Sequence, residues 1–310
     1  MNILVTGGAG YIGSVMTPVL LQAGHRVTVI DNFMYNQSSL LDVCHNEALT
    51  IVRGDVRNAD LLKKLVPKAD VLIPLACLVG APICEQKPVE ARTINLDAVK
   101  MLVDLSSREQ LIVSPTTNSG YGIGQEGIHC TEETPLRPIS VYGKLKAELE
   151  AYLLNSGHAV SLRLATAFGV SPRMRLDLLV NDFTYRAVTD RFVVLFEAHF
   201  KRNYIHVRDI ARAFIHAIDQ WDRVKNQAYN VGLSDANLSK MELCLEIKKQ
   251  VPEFTIMESP IGKYPDQRNY IVSNEKIERT GYQPKVSIPL GIAELIKGYQ
   301  VLRRNQYSNV

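Results

Sequence analysis

Residues 2–13 run Asn-Ile-Leu-Val-Thr-Gly-Gly-Ala-Gly-Tyr-Ile-Gly, a short apolar strand that passes directly into a glycine turn and a helix start. This order constrains the fold more than any other stretch of the chain. Gly7 permits a tight turn, Gly10 lets backbone N–H groups approach a pyrophosphate, and Gly13 lets the helix pack close to the sheet. The helix N-terminus supplies unpaired donors and partial positive charge, which places Tyr11 and Ile12 in the same cradle.

Glycines also gather in ordinary loops, so the turn takes its meaning from the next strand. Val27–Ile30 forms that second strand after a helix closed by Gly24, and Asp31 stands at its end, 18 residues beyond Gly13. A carboxylate there accepts hydrogen bonds from both adenosine ribose hydroxyls and repels a 2′-phosphate. The pattern predicts NAD rather than NADP, held by Gly7, Gly10, Tyr11, Ile12, Gly13, Asp31 and the adjacent Asn32.

The 310 residues suffice for a large α/β domain or two intertwined lobes. A net charge of +3 gives no support for a nucleic-acid partner. The five cysteines form no Cys-x-x-Cys pair, which indicates neither a zinc site nor a disulfide framework, and no metal is expected. The first strand begins at residue 2 and no apolar run reaches membrane-spanning length, so the expectation is a cytoplasmic protein with no membrane partner.

Strands and helices alternate through the first half. Strands are expected at 49–52, 71–73, 111–114 and 159–165, with helices at 58–65, 88–107 and 141–155. Such β-α units imply a parallel sheet covered on both faces. Beyond Gly169 the rhythm changes to helices near 177–189, 207–219, 239–250 and 288–304, separated by short strands such as 228–231. The expected division is a cofactor domain over 1–170 and a smaller lobe over 171–310, with strands of the second free to return to the main sheet.

Thirteen tyrosines occur, and only Tyr142 has a lysine four residues later. On a helix Tyr142 and Lys146 share a face, one turn apart. A phenol normally holds its proton to about pH 10. A nearby ammonium and an oxidised nicotinamide would lower that value, so that a tyrosinate takes the proton of a hydroxyl as hydride leaves the same carbon. Taken alone, the pair describes an ordinary buried aromatic and a solvated charge; behind an NAD-binding pattern it points to hydride chemistry. The hydroxyl-rich stretch 114–122 follows the fifth strand, where open parallel sheets bind ligands.

TGGAGYIG, VIDN, GDV, TTNSGYG and YGKLK, in this order, resemble the extended short-chain dehydrogenase/reductase family, in particular its nucleotide-sugar epimerases and dehydratases. The resemblance spans essentially the whole chain. It implies a Rossmann-type doubly wound sheet with a smaller, intertwined α/β substrate lobe, and a reaction that begins by oxidising the sugar at C4. It makes Tyr142 the base, Lys146 the ligand of the nicotinamide ribose, and Thr117 the hydroxyl that hydrogen-bonds the sugar. It assigns Asp55 and Val56 to the adenine, Leu75 and Ala76 to the cofactor phosphates, and Asn95 to a helix position near the cofactor. In the second lobe the run from Arg173 to Asn181 resembles a segment of several sugar-nucleotide enzymes. Arg175 and Asn181 are expected to meet the substrate there, with Arg202 and Arg268 on its diphosphate. The 89–107 and 141–155 helices resemble those that pair in the family's dimers, so a homodimer or homotetramer is expected.

Departures from the family pattern narrow the reaction. The 4,6-dehydratases carry Asp-Glu directly after the threonine; here those positions are Asn118 and Ser119, which cannot serve as an acid–base pair at neutral pH. The decarboxylase glutamate and the cysteine of the 3,5-epimerising reductases are also missing there. Pro74 and Thr166 replace a common His and Asn, indicating an altered sugar pocket. What remains is C4 oxidation of a nucleotide sugar, resembling dehydrogenases of bacterial capsule or lipopolysaccharide pathways with a substrate such as a GDP-heptose. The alternative is 4-epimerisation with NAD recycled; a non-catalytic cofactor-binding regulator is disfavoured by the presence of Tyr142, Lys146 and Thr117.

Overall fold

The computed structural model describes residues 1–260 and 268–302. The first half comprises β1 (Asn2–Thr6), α1 (Gly13–Gln22), β2 (Arg26–Asp31), β3 (Leu49–Arg53), α2 (Ala59–Leu65), β4 (Val71–Pro74), α3 (Ala81–Gln86), α4 (Pro88–Arg92), α5 (Ala98–Leu105), β5 (Leu111–Thr117), β6 (His129–Cys130), α6 (Val141–Ser156), β7 (Ala159–Leu164) and β8 (Thr166–Phe168). Next come α7 (Leu179–Thr189), β9 (Phe192–Phe196), β10 (Lys201–His206), α8 (Val207–Asp219), α9 (Trp221–Val224) and β11 (Ala228–Val231). The chain continues through β12 (Asn237–Ser239), α10 (Lys240–Gln250), β13 (Thr255–Ser259), β14 (Ile271–Val272), α11 (Glu275–Glu278) and α12 (Ile288–Gly298).

The largest sheet has seven parallel strands in the order β11-β7-β5-β4-β1-β2-β3. Its central strands are apolar on both faces: Ile3, Leu4, Val5, Val71, Leu72 and Ile73 are all buried, as a sheet covered by helices on each side requires. The strand order turns back at β1, where β2 and β4 lie on opposite sides, and a crevice opens there at the carboxyl ends. β11 comes from beyond residue 170 yet pairs with β7, so the second half of the chain completes the sheet begun by the first.

Local chemistry explains the helix boundaries. Asn58 accepts hydrogen bonds from Asp60 and Leu61 N–H groups to start α2, and Ser239 and Glu242 form a reciprocal capping box on α10. The expected 88–107 helix is helical from Pro88 to Leu105 with a π-turn over Thr93–Asp97, and α3 precedes it unannounced. β5 runs past the expected 114 to Thr117, so Pro115 and Thr116 are buried strand residues rather than loop. α7 begins at Leu179 and α12 ends at Gly298, each shorter than its expected range; residues 303–304 lie outside the described residues. No helix among the described residues is long and apolar enough to cross a membrane.

Candidate active site

A cavity of about 510 Å³ lies along the carboxyl ends of β1, β2, β4, β5 and β7. Its cofactor end is shaped by the glycine turn. Gly7 has φ +70°, and a Cβ there would fall 2.6 Å from Ala76 N. A Cβ on Gly13 would fall 2.5 Å from Gly8 Cα and 2.7 Å from Gly7 O, so this glycine makes room for the turn itself. The close approach to the sheet expected of Gly13 belongs to Gly8, which faces Val29 of β2. Gly10 lines the cavity, and a Cβ there would meet Gly7 O at 3.1 Å. This is a backbone cradle of the kind a dinucleotide diphosphate occupies.

Asp31 is buried at the end of β2, where its carboxylate accepts from Ala9 N at 3.0 Å, Phe33 N at 2.8 Å and Gln37 Nε2 at 3.3 Å. Burial raises its carboxyl above the usual range, against those hydrogen bonds and the charge of Arg173. Asn32, Asp55, Val56, Leu75 and Ala76 line the same end. Asp55 is held below the ordinary carboxylate range by its paired contact with Arg57.

α6 starts at Ser140, whose hydroxyl accepts from Gly143 N at 3.1 Å. The helix carries Tyr142 and Lys146 into the cavity beside Thr117 at the end of β5. Lys146 is buried and donates to Pro115 O at 3.1 Å. Thr117 Oγ1 accepts from Ser119 N at 3.1 Å and donates to Ser119 Oγ at 2.9 Å, and Arg268 also donates to that Ser119 hydroxyl. Burial pushes the Tyr142 phenol well above its ordinary range, and the Cys77 and Cys84 thiols act in the same direction. The cations that most offset this are Arg175 and Arg268. Lys146 instead faces Cys77, a cavity residue that no sequence motif marks.

One turn beyond Lys146, Glu150 anchors a buried network beneath the site. It accepts from Thr116 Oγ1 at 3.0 Å, Ser161 Oγ at 2.7 Å and Arg163 Nη2 at 2.6 Å. Arg163 Nη1 donates to Tyr121 Oη at 2.8 Å, and Tyr121 donates to Asn230 of β11 at 2.7 Å. The network ties β5, α6, β7 and β11 together behind Thr117 and Lys146.

Of the residues expected at the site, Ser119, Thr166, Arg175, Arg202 and Arg268 also line the cavity. Three asparagines do not. Asn95 is fully buried and grips the Leu78 backbone, accepting from its N–H at 2.8 Å and donating to its carbonyl at 2.9 Å. Asn181 likewise accepts from Gly169 N at 3.0 Å and donates to Arg175 O at 2.8 Å. Each uses its paired donor and acceptor to brace a cavity loop from behind. Asn118 is buried in the turn after β5, and its amide has no hydrogen-bond partner among the described residues. Tyr35, Gln37, Arg173 and Asp177 line the cavity without having been expected there. The Arg-x-Arg-x-Asp spacing was the available signal for two of them, since Asp177 pairs with Arg175 at 2.5 Å.

Known proteins share this architecture. The chain is 27% identical over 312 residues to a UDP-glucose 4-epimerase of Corynebacterium glutamicum, covering 92% of this chain and 91% of that one. It is also 27% identical to a dTDP-glucose 4,6-dehydratase of Streptomyces niveus, over 97% of this chain and 93% of the other. The crystal structure of the Thermus thermophilus UDP-glucose 4-epimerase in complex with NAD superimposes with a TM-score of 0.82 at 25% identity, covering 97% of this chain and 99% of that one. The model of the NAD-dependent epimerase/dehydratase family matches residues 3–232, and the chain belongs to that family.

Proposed function

We propose that the protein oxidises a nucleotide-activated sugar at its C4 hydroxyl, giving a 4-keto sugar nucleotide. NAD is the cofactor, as membership of the family and the fit of the glycine cradle and Asp31 require. One observation supports the choice of reaction: Tyr142, Lys146 and Thr117 all line the cavity, and the only carboxylates among its described lining residues are Asp31, Asp55 and Asp177. Asp31 and Asp55 belong to the cofactor end, and Asp177 is bound to Arg175. Elimination of water from the sugar needs a further acid–base pair beside Tyr142, and the described lining residues offer no carboxylate for it other than these three.

Tyr142 takes the C4 hydroxyl proton, Thr117 orients that hydroxyl, and Lys146 holds the nicotinamide ribose. Bound NAD supplies the acceptor for the hydride that leaves C4. Arg202 and Arg268 meet the substrate diphosphate. The setting in capsule or lipopolysaccharide synthesis and the GDP-heptose assignment rest on the resemblance alone. A second reading, 4-epimerisation, is favoured by the likeness to UDP-glucose 4-epimerases along nearly the whole chain.

The test is incubation with a panel of UDP-, dTDP- and GDP-sugars, followed by absorbance at 340 nm and mass spectrometry. Net NADH with a product lighter by two hydrogens supports C4 oxidation. An epimer of unchanged mass, formed without net NADH, supports the second reading. A product lighter by one water sinks both.

A further inference from the structure

The segment after β8 crosses back over the glycine turn and is fastened to it by side chains. Tyr11 Oη donates to Gly169 O at 2.7 Å, and Ser171 Oγ donates to Tyr11 O at 2.7 Å. The Ser14 and Ser171 hydroxyls lie 3.0 Å apart, and Arg173 N donates to Ser14 Oγ at 3.4 Å. These partners are 157 to 160 residues apart in sequence. The turn that receives a dinucleotide diphosphate is therefore strapped by residues 169–173 of the other half of the chain, and Asn181 braces the strap from behind.

The strap ends on Arg173 and is followed by Arg175, both under one-tenth exposed and both lining the cavity. The Arg173 guanidinium lies 4.4 Å from the centroid of the Tyr35 ring, in the loop after Asp31. It is close enough to Asp31 to pull that carboxyl down against burial. Arg175 is braced by Asp177 at 2.5 Å and acts on the phenols of Tyr11, Tyr35 and Tyr142. Arg173 therefore stands over Tyr35 at the Asp31 end, and Arg175 follows two residues on, its carbonyl held by Asn181, which also reaches the Tyr11 hydroxyl of the glycine turn at 3.4 Å. Arg268 donates to the Ser119 hydroxyl. A guanidinium stacked on an aromatic ring presents its N–H donors at its edge, the geometry that grips phosphate oxygens.

We propose that Arg173 and Arg175 clamp the cofactor rather than the sugar nucleotide. Arg173 on Tyr35 closes over the adenosine half, Arg175 closes over the diphosphate, and the substrate diphosphate is left to Arg202 and Arg268. The inference rests on the NAD reading above. A cofactor held under such a strap leaves slowly.

The test reads cofactor release, not turnover. Protein loaded with fluorescent etheno-NAD is chased with excess NAD in a stopped-flow instrument. Arg173→Ala and Arg175→Ala should each speed release at least tenfold, and Tyr35→Ala several-fold, whereas Tyr35→Phe, which keeps the ring, should stay near wild type. Arg202→Ala should leave release unchanged. Where an alanine variant fails to fold, the methionine variant at the same position keeps the aliphatic stem and replaces it in the test. Release within twofold of wild type in both arginine variants and in Tyr35→Ala overturns the clamp. Wild-type protein that binds no etheno-NAD at all overturns the cofactor reading itself, a separate and recognisable result.

Discussion

At the cofactor end of the cavity the walls are largely backbone: Gly7 packs on Ala76, Gly13 on Gly8, and Asp31 is fixed by two backbone N–H groups. At the other end they are side chains brought from distant places, with Thr117 on β5, Thr166 on β8, Arg202 on β10 and Arg268 beyond residue 260. A backbone cradle admits almost no change, because the place of a Cβ at Gly7, Gly10 or Gly13 is already taken by neighbouring main chain. A side-chain wall can be rebuilt residue by residue while the sheet stays intact. One end is thus suited to a constant cofactor, the other to a variable sugar.

That contrast yields predictions in descending order of effect. Tyr142 stands where the two ends meet, and Tyr142→Phe should reduce turnover by about 10²–10⁴-fold, the usual worth of a positioned general base. NAD binding, read by fluorescence titration, should survive; a variant that turns over normally would remove Tyr142 from the chemistry. Arg163→Ala leaves the Glu150 carboxylate buried and unpaired, so about 3–5 kcal/mol of stability should be lost in urea unfolding. A loss within experimental error would mean that the network does not hold the two halves together.

Gly13→Ala and Arg202→Ala contrast the ends directly. The alanine Cβ at 13 would force the turn open, and overpacking of about 1–3 kcal/mol should weaken NAD binding by roughly 10–100-fold. Arg202→Ala should raise KM for the sugar nucleotide by roughly 10–100-fold, the worth of a charged hydrogen bond of about 1.5–3 kcal/mol, with NAD affinity unchanged. Equal effects of both substitutions on both ligands would erase the distinction. The pH profile comes from Tyr142. Burial favours the neutral phenol, so the base form grows as pH rises, and kcat/KM for oxidation should climb through neutral into alkaline pH. A flat profile would transfer the base role elsewhere. The smallest effect comes from a residue outside the cavity lining: Ser239→Ala removes the α10 capping box and should cost about 1 kcal/mol of stability in urea unfolding.

The difference between the ends also governed what the sequence disclosed. The glycine turn, Asp31, Tyr142 and Lys146 lie in patterns whose spacing is itself the geometry, so their arrival at one cavity was legible. The asparagines were not. Asn95 and Asn181 do not line the cavity; side chains able to donate and accept at once hold loops there, and nothing local distinguishes a brace from a ligand. The partner of Arg173 was illegible for another reason: its place over Tyr35 depends on a crossing of the chain between residues 35 and 173 that no periodicity encodes. The charge balance on Tyr142 was hidden in the same way, since Arg175 and Arg268 reach it through tertiary structure while Lys146 turns to Pro115.

The pairing of β11 with β7 bears on how the molecule comes into being. During synthesis, residues 1–170 emerge with every strand of the main sheet except that one, and β7 presents an unsatisfied row of backbone donors and acceptors. An open parallel edge of buried, apolar strand is a template for foreign chains. Cutting the protein at the apparent boundary near 170 would make that transient state permanent, and aggregation rather than an autonomous domain is the expected product.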